Sequence, residues 1–511
     1  MMFSNFTSTY EVHIFLNRLH LEKFIISRIG RSNSEYNVRT VYFLRYTWEM
    51  PDACNISRND CYCFRNQELA KAYGPVVGLK LGKHKFVAIS TNELVKKALL
   101  TDEFNGRPQG FFFRLRSFGK AKGVLFTEGS IWSQHRRFTL RRLKEFGLGQ
   151  DTMVQQVEFE ASNFINFLGE QSKKGPVAMH TVFDLPVLNS LWQMFAGRRF
   201  EYDDAKVKEI LDVVHDVFRT NDTMGGIISF MPFLRFIIPE LSGYNHLMST
   251  HEKLWGFLDE EIKLHEENLP TSQPRDLIDA FLMEIRDQTH LANREEQSIF
   301  DRENLLILCL DLFLAGSKTT TDSLSLIFAF LGRNVNYVKE LQSELDDVLG
   351  RNCAPTLADV TRLPKIESFL AEAARYLIMA PMGVPHRSTN DVFFEGYEIP
   401  KDTIILMNFY SANNDEKVWK DPQEFRPQRF LDENGKLRSN SASIPFGVGK
   451  RRCLGEVLAR HTLFLFFASI LHYYDVSPSP DHPLPELLGY DGFVISPKPY
   501  YLKLTPRQTN F

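Results

Sequence analysis

Cys453 is the residue of this sequence best placed to do chemistry. It lies in the run Pro445-Phe446-Gly447-Val448-Gly449-Lys450-Arg451-Arg452-Cys453-Leu454-Gly455-Glu456. Gly447 and Gly449 permit positive φ and a tight turn, and they clear space for a flat ligand to approach the backbone. Residues Leu454 to Tyr473 read as a helix, so Cys453 is expected at its start. Free N–H groups and the helix dipole there favour an anion, and Lys450, Arg451 and Arg452 push the same way. The expected outcome is a lowered thiol pKa and a thiolate able to ligate a metal. A buried structural cysteine beside a basic turn is the plain alternative.

Other segments carry candidate chemistry. Ala315-Gly316-Ser317-Lys318-Thr319-Thr320 lies inside a long apolar stretch. A glycine and hydroxyls in mid-helix cost helix propensity, so they mark either a local widening or a packing groove between helices. Glu372 and Arg375 stand three apart on a helical pattern, a spacing usually worth roughly 0.2–0.5 kcal/mol as a surface pair. Trp132 and Arg136 share one helix face, and His135, Arg136, Arg137, Arg141, Arg142 and Lys144 make that helix densely basic.

The elements that must position these residues are mostly helices. Asn304 to Gly332 reads as one buried helix, interrupted only by Asp311, Lys318 and Asp322. Helical periodicity also covers Trp132 to Phe146, Asp151 to Leu168, Asp204 to Arg219, His251 to Asn268 and Arg275 to Arg286. Alternation predicts a hairpin around Gly82-Lys83, and Ser90-Thr91-Asn92-Glu93 predicts a capping box after it. Val392 to Glu398 and Thr403 to Asn408 read as strands. Residues 421–452 are Pro-rich and irregular. No βαβ alternation occurs, which excludes doubly wound folds.

The chain has 511 residues, above the ~250–300 at which single cores stop growing, so two cores or one composite domain are expected. Residues 1–65 read as an N-terminal extension without clear periodicity, and 66–511 as the catalytic body. A net charge of −3 argues against a nucleic-acid binder. The 43 Phe suit a protein that encloses a large apolar group, although a Phe-rich core is the commoner cause. Six cysteines make no disulfide framework, and Cys54, Cys61 and Cys63 lack a second pair at zinc spacing, which points to a reducing, cytosol-facing setting. No run of 18 uncharged apolar residues predicts a transmembrane helix.

The spacing Phe446-x-x-Gly449-x-Arg451-x-Cys453-x-Gly455 resembles the haem-binding loop of cytochromes P450. Glu372-Ala373-Ala374-Arg375, Phe425-Arg426-Pro427-Gln428-Arg429-Phe430 and Ala315 to Thr320 resemble that family's other motifs, in its order. The resemblance covers residues 66–505 and is closest in detail to animal microsomal members of the family 2 clan, insect ones in particular. It implies a mainly α fold with a small β-rich subdomain, a triangular prism. Haem b would lie between the long central helix and the helix after Cys453.

Under that resemblance Cys453 is the iron ligand, with Phe446, Gly447 and Gly455 shaping its loop. A thiolate ligand donates electron density and favours O–O cleavage. Arg107, Trp132, Arg136, His386 and Arg451 would hold the haem propionates. Ala315 and Gly316 would widen the central helix where O2 binds, with Thr319 donating a hydrogen bond to it. Glu372, Arg375 and Arg429 would form a buried network behind the loop. Lys318 departs from the family, which has an acid there that assists proton delivery. A cation at this position is expected to slow or reroute that delivery. Phe111 to Phe113, Phe313, Ala315 and Met382 are candidate pocket walls.

The implied activity is a monooxygenase that inserts one atom of O2 into a steroid, terpenoid, fatty acid or xenobiotic. Electrons would come from NADPH through NADPH-cytochrome P450 reductase docked on the basic helix, with cytochrome b5 as a second partner. Ile227 to Pro239 is an apolar patch that would dip into the membrane surface. The implied site is the cytosolic face of the endoplasmic reticulum, held peripherally. Two other readings stay open because of Lys318: an isomerase or dehydratase on the same scaffold, and a non-catalytic haem or lipid binder.

Overall fold

The computed structural model describes residues 39–40, 43–45, 62–81, 84–220, 225–291, 299–438 and 440–507. Helices dominate. In chain order the N-terminal half contains α1 (Tyr62–Tyr73), α2 (Asn92–Leu100), α3 (Phe111–Leu115), α4 (Gly129–Glu145), α5 (Asp151–Lys174), α6 (Asp184–Ala196) and α7 (Ala205–Thr220). The short α8 (Gly226–Phe230) and α9 (Leu234–Ile237) lead into α10 (Tyr244–Glu267) and α11 (Leu277–Leu291). Then follow α12 (Arg302–Arg333), α13 (Val335–Leu349), α14 (Pro364–Tyr376), α15 (Phe409–Asn413) and α16 (Glu456–Tyr473).

α12 is the axis of the molecule. Asp301 caps it by accepting from the Asn304 N–H at 2.7 Å, and most of its 32 residues are buried. Packed on it are α6, α10, α11 and α16, whose Leu, Phe and Ile side chains make one large helical core. A second, smaller core lies around the sheet, which meets the expectation of more than one core in a chain this long.

That sheet runs β2 (Phe43–Arg45), β3 (Val76–Leu81), β4 (His84–Ile89), β9 (Ile404–Met407), β6 (His386–Arg387). β3 and β4 pair antiparallel with Leu81 opposite His84, as the hairpin pattern predicts, while Gly82 and Lys83 lie outside the described residues. β1 (Arg39–Thr40) pairs with β8 (Tyr397–Ile399), which pairs with β7 (Val392–Phe394). β5 (Val177–Ala178), β11 (Tyr501–Pro506) and β10 (Tyr474–Pro478) make a third sheet.

Several boundaries differ from those read in the sequence. Val392 to Glu398 is a hairpin rather than one strand, because Glu395 and Gly396 both take positive φ, 51° and 81°. That two-residue turn matches the twist of its strands. The N-cap of α2 is Thr91, whose Oγ1 accepts from the Leu94 N–H, so the third helical residue is Leu94 and no capping box forms with Glu93. α10 begins at Tyr244, earlier than His251, and α16 begins at Glu456, leaving Cys453 in the preceding turn.

Candidate active site

The turn before α16 is built by backbone hydrogen bonds. The Gly447 N–H donates to Ile444 O (3.0 Å), Arg452 to Gly449 (3.2 Å) and Cys453 to Phe446 (2.9 Å). Gly447 and Gly449 have φ of 70° and 77°, as their types predict. Their roles then diverge. A Cβ on Gly449 would come within 2.4 Å of the Leu99 carbonyl oxygen, so this glycine seats the loop on α2. A Cβ on Gly447 or Gly455 would meet nothing within 4 Å.

The Cys453 side chain is exposed, yet the protein around it removes enough water that burial pushes its thiol up rather than down. The Gly455 N–H, Arg136 and Arg452 favour the thiolate, while Glu456 opposes it. Burial outweighs these cations, and most of the nearby basic residues are also engaged by other partners. Lys450 pairs with Asp102 (2.8 Å), Arg452 with Glu456 (2.6 Å), and Arg451 turns to the carbonyls of Asn105 and Thr127.

Beside the loop four cation-capable side chains converge. Arg107 is buried and donates to Leu125 O (3.1 Å), Val384 O (3.2 Å) and Pro385 O (2.8 Å). Arg451 lies 3.9 Å over the Trp132 ring, and Arg136 reaches Arg452 O at 2.6 Å. Neither Arg107, Arg136 nor Arg451 has a carboxylate in ion-pair reach among the described residues. Burial, then Arg451 and Arg136, hold the Arg107 guanidinium well below its usual range. Burial pushes Arg451 down to about 9, with Arg136 adding to it and Glu128 opposing. His386 is buried in β6 with Nδ1 2.7 Å from Phe104 O, and burial and Arg107 keep it neutral. Nδ1 then carries the proton, and Nε2 donates only when an anion recharges the ring.

On the other side α12 presents Ala315 and Thr319 one turn apart, the first exposed and the second half-buried. The helix is uninterrupted, and the Thr319 hydroxyl donates back to Ala315 O at 2.8 Å. Gly316 stands against α6. Its Cβ would fall 2.4 Å from Leu191 Cδ2, so Gly316 is the packing groove that admits α6. Lys318 turns inward and is ion-paired with Asp322, whose other oxygen accepts from Ser496 Oγ at 2.9 Å. Burial raises the Asp322 carboxyl above the usual range, against the pull of Lys318.

The Glu372 network forms as expected. Arg375 grips Glu372 with two bonds of 2.7 Å, and Arg429 Nε donates to the same carboxylate at 3.1 Å. Arg375 also holds Asn413 O and Pro422 O. His135 leaves the basic face: it is buried between Gly123 O (3.1 Å) and Ile299 O (2.9 Å). Phe313 and Met382, expected as pocket walls, are buried, the first against Trp192 and Phe257, the second in the sheet core.

One functional support escaped the sequence reading. Asp311 in α12 accepts from the Val124 and Leu125 N–H groups (2.6 and 2.9 Å) and pairs with Arg116. It thereby fixes the strand of chain whose Leu125 carbonyl holds Arg107. An acid inside the apolar run Leu305 to Leu314 was the available signal, since a buried charge needs partners.

A family profile described as Cytochrome P450 matches residues 57–504. The chain belongs to the cytochrome P450 family. It is 36% identical to "Farnesoate epoxidase" of Bombyx mori over 449 residues, 88% of this chain and 89% of that one. It is 35% identical to "Probable cytochrome P450 303a1" of Drosophila melanogaster, covering 84% and 86% of the two chains. Human "Cytochrome P450 2D6" is 32% identical over 88% and 90%. P450s are monooxygenases, oxidoreductases that bind haem through a cysteine. The residues here fit that group: an exposed cysteine beside one buried and two half-buried guanidiniums that repel one another and whose side chains bond only carbonyls is a site short of an anion. No helix among the described residues is long and apolar enough to cross a membrane.

Proposed function

We propose that this P450 holds haem b with Cys453 as iron ligand and hydroxylates or epoxidises a lipophilic, terpenoid-like substrate. The observation that carries the ligand assignment is the counter-ion-free cluster of Arg107, Arg136 and Arg451 beside Cys453, which suits the two propionates of haem. Trp132 supports Arg451 from below, and His386 completes the cluster. Bound haem supplies the oxygen chemistry. Gly447 and Gly455 leave room on the thiolate side, with Phe446 in the same loop, while Ala315 and Thr319 form the opposite wall. The farnesoate-acting relative points to an isoprenoid acid or ester as substrate class.

Lys318 has the part of the departure from the family acid. Its ammonium is bound to Asp322 inside the protein, so proton delivery past Thr319 takes a different route or a slower one. Arg137, Arg141 and Lys144 form an exposed stripe on α4 that suits the acidic face of NADPH-cytochrome P450 reductase, with cytochrome b5 competing for it. Exposed Met231, Phe233, Phe236 and Ile237 suit peripheral seating on the endoplasmic reticulum membrane.

The test is the spectrum of dithionite-reduced protein with carbon monoxide, for wild type and Cys453→Ser. A red-shifted Soret band lost in the variant is expected. A wild-type band unchanged by the substitution, or no haem at all, overturns the assignment.

A further inference from the structure

We propose that Arg460 is a positioning residue for the haem ligand: its guanidinium clamps the Phe446 ring and, through Phe446, fixes the turn that carries Cys453. This rests on the reading of Cys453 as the iron ligand. The Cys453 N–H donates to Phe446 O at 2.9 Å, so a shift of Phe446 moves the acceptor that seats the cysteine. Phe446 is half-buried and belongs to none of the hydrophobic cores among the described residues. What holds its ring is a cation. The Arg460 guanidinium carbon lies 4.8 Å from the ring centroid, inside the roughly 6 Å over which a ring quadrupole attracts a charge.

Arg460 is itself held in place. Glu456, one turn earlier on α16 and nearly buried, accepts from Arg460 Nε at 3.1 Å and from Arg452 Nε at 2.6 Å. Arg452 adjoins Cys453 in the chain, and Arg460 reaches back over Phe446. One carboxylate in the first turn of α16 therefore ties down both flanks of the ligand turn. Binding Glu456 through Nε leaves the planar guanidinium to cover the ring, and a lysine ammonium has no such plane.

The experiment uses the haem-loaded full chain as wild type, Arg460→Met, Arg460→Lys, Phe446→Leu and Arg460→Met with Phe446→Leu. Two quantities are read: the rate of haem transfer to excess apomyoglobin, and the haem reduction potential poised at an electrode. No reductase is present, so altered docking at this exposed arginine cannot enter. Arg460→Met is expected to release haem about two- to fivefold faster, the range of one exposed cation–π contact, and to shift the potential. In the Phe446→Leu background the same substitution is expected to leave the transfer rate unchanged. Arg460→Lys keeps the charge without the plane and is expected to follow Arg460→Met. No effect of Arg460→Met overturns the proposal. So does the same factor in both backgrounds, which would assign Arg460 to the stability of α16, and so does wild-type behaviour of Arg460→Lys, which would assign it to charge alone. A wild type without the red-shifted carbon monoxide band would sink the Cys453 assignment first, and the role of Arg460 with it.

Discussion

Lys318 and Asp322 form an ion pair one turn apart inside α12, with both side chains out of water and Ser496 holding the second carboxylate oxygen. Breaking such a pair from one side leaves a bare buried charge. Lys318→Met is therefore expected to cost about 3–5 kcal/mol, whereas Lys318→Met with Asp322→Leu recovers most of it. Urea denaturation of the two variants checks this. Equal loss in both would show that the pair is not the unit.

The same pair bears on oxygen use. Lys318→Glu restores the family acid and sets it against Asp322, so the fraction of NADPH oxidation that yields product rather than hydrogen peroxide is expected to change. The comparison variant is Lys318→Met/Asp322→Leu, which lacks both charges. Unchanged turnover and unchanged peroxide release in Lys318→Glu would remove Lys318 from proton delivery.

Glu372 neutralises Arg375 and Arg429 together, and both arginines tie distant carbonyls to α14. Glu372→Ala should cost about 3–5 kcal/mol by stranding Arg375, and haem retention should fall with it. Arg429→Lys, which keeps a charge but loses the fork, should cost less. Haem-to-protein absorbance ratios after gel filtration read both.

Gly449 and Gly447 differ in a way their shared positive φ conceals. Gly447→Ala meets no neighbour and should cost about 1–2 kcal/mol from its left-handed backbone alone. Gly449→Ala carries the same cost and also collides with Leu99 O, so it should lose more stability and more haem. Equal melting temperatures for the two variants would contradict the seating role of Gly449.

Burial holds His251 at about 4, helped by Arg116 and opposed by a bond to Leu247 O. Its unfolded value is near 6.5. The unfolded chain thus binds more protons between those values, so the His251 contribution is full above about 6.5 and is lost as pH falls toward about 4. Glu367 acts oppositely: burial raises it to about 7, so its contribution is present at low pH and lost as pH rises through about 7. His251→Phe should flatten the acid limb of stability against pH, and Glu367→Gln should steepen it. Chemical denaturation between pH 4 and 8 measures both.

Cys453, Glu372 with Arg375, and the Ala315 to Thr320 segment were legible because each is a short run whose geometry follows from neighbours along the chain. The helices were legible for the same reason, since a 3.6-residue apolar period is a local property. Partner choice was not. Sequence shows Lys318 and Asp322 four apart, but only packing of Ser496 and α12 makes them a sealed pair rather than two surface charges. It shows Gly316 as a possible widening, while Leu191 of α6 decides that it is a contact. Lys450, Arg451 and Arg452 read as a cationic cushion for a thiolate, yet Asp102, Asn105 and Glu456 draw them away. Sequence by itself determined which groups this protein carries for chemistry. Tertiary structure decided which of them are spent on each other, because charge and hydrogen-bond satisfaction depend on neighbours distant along the chain.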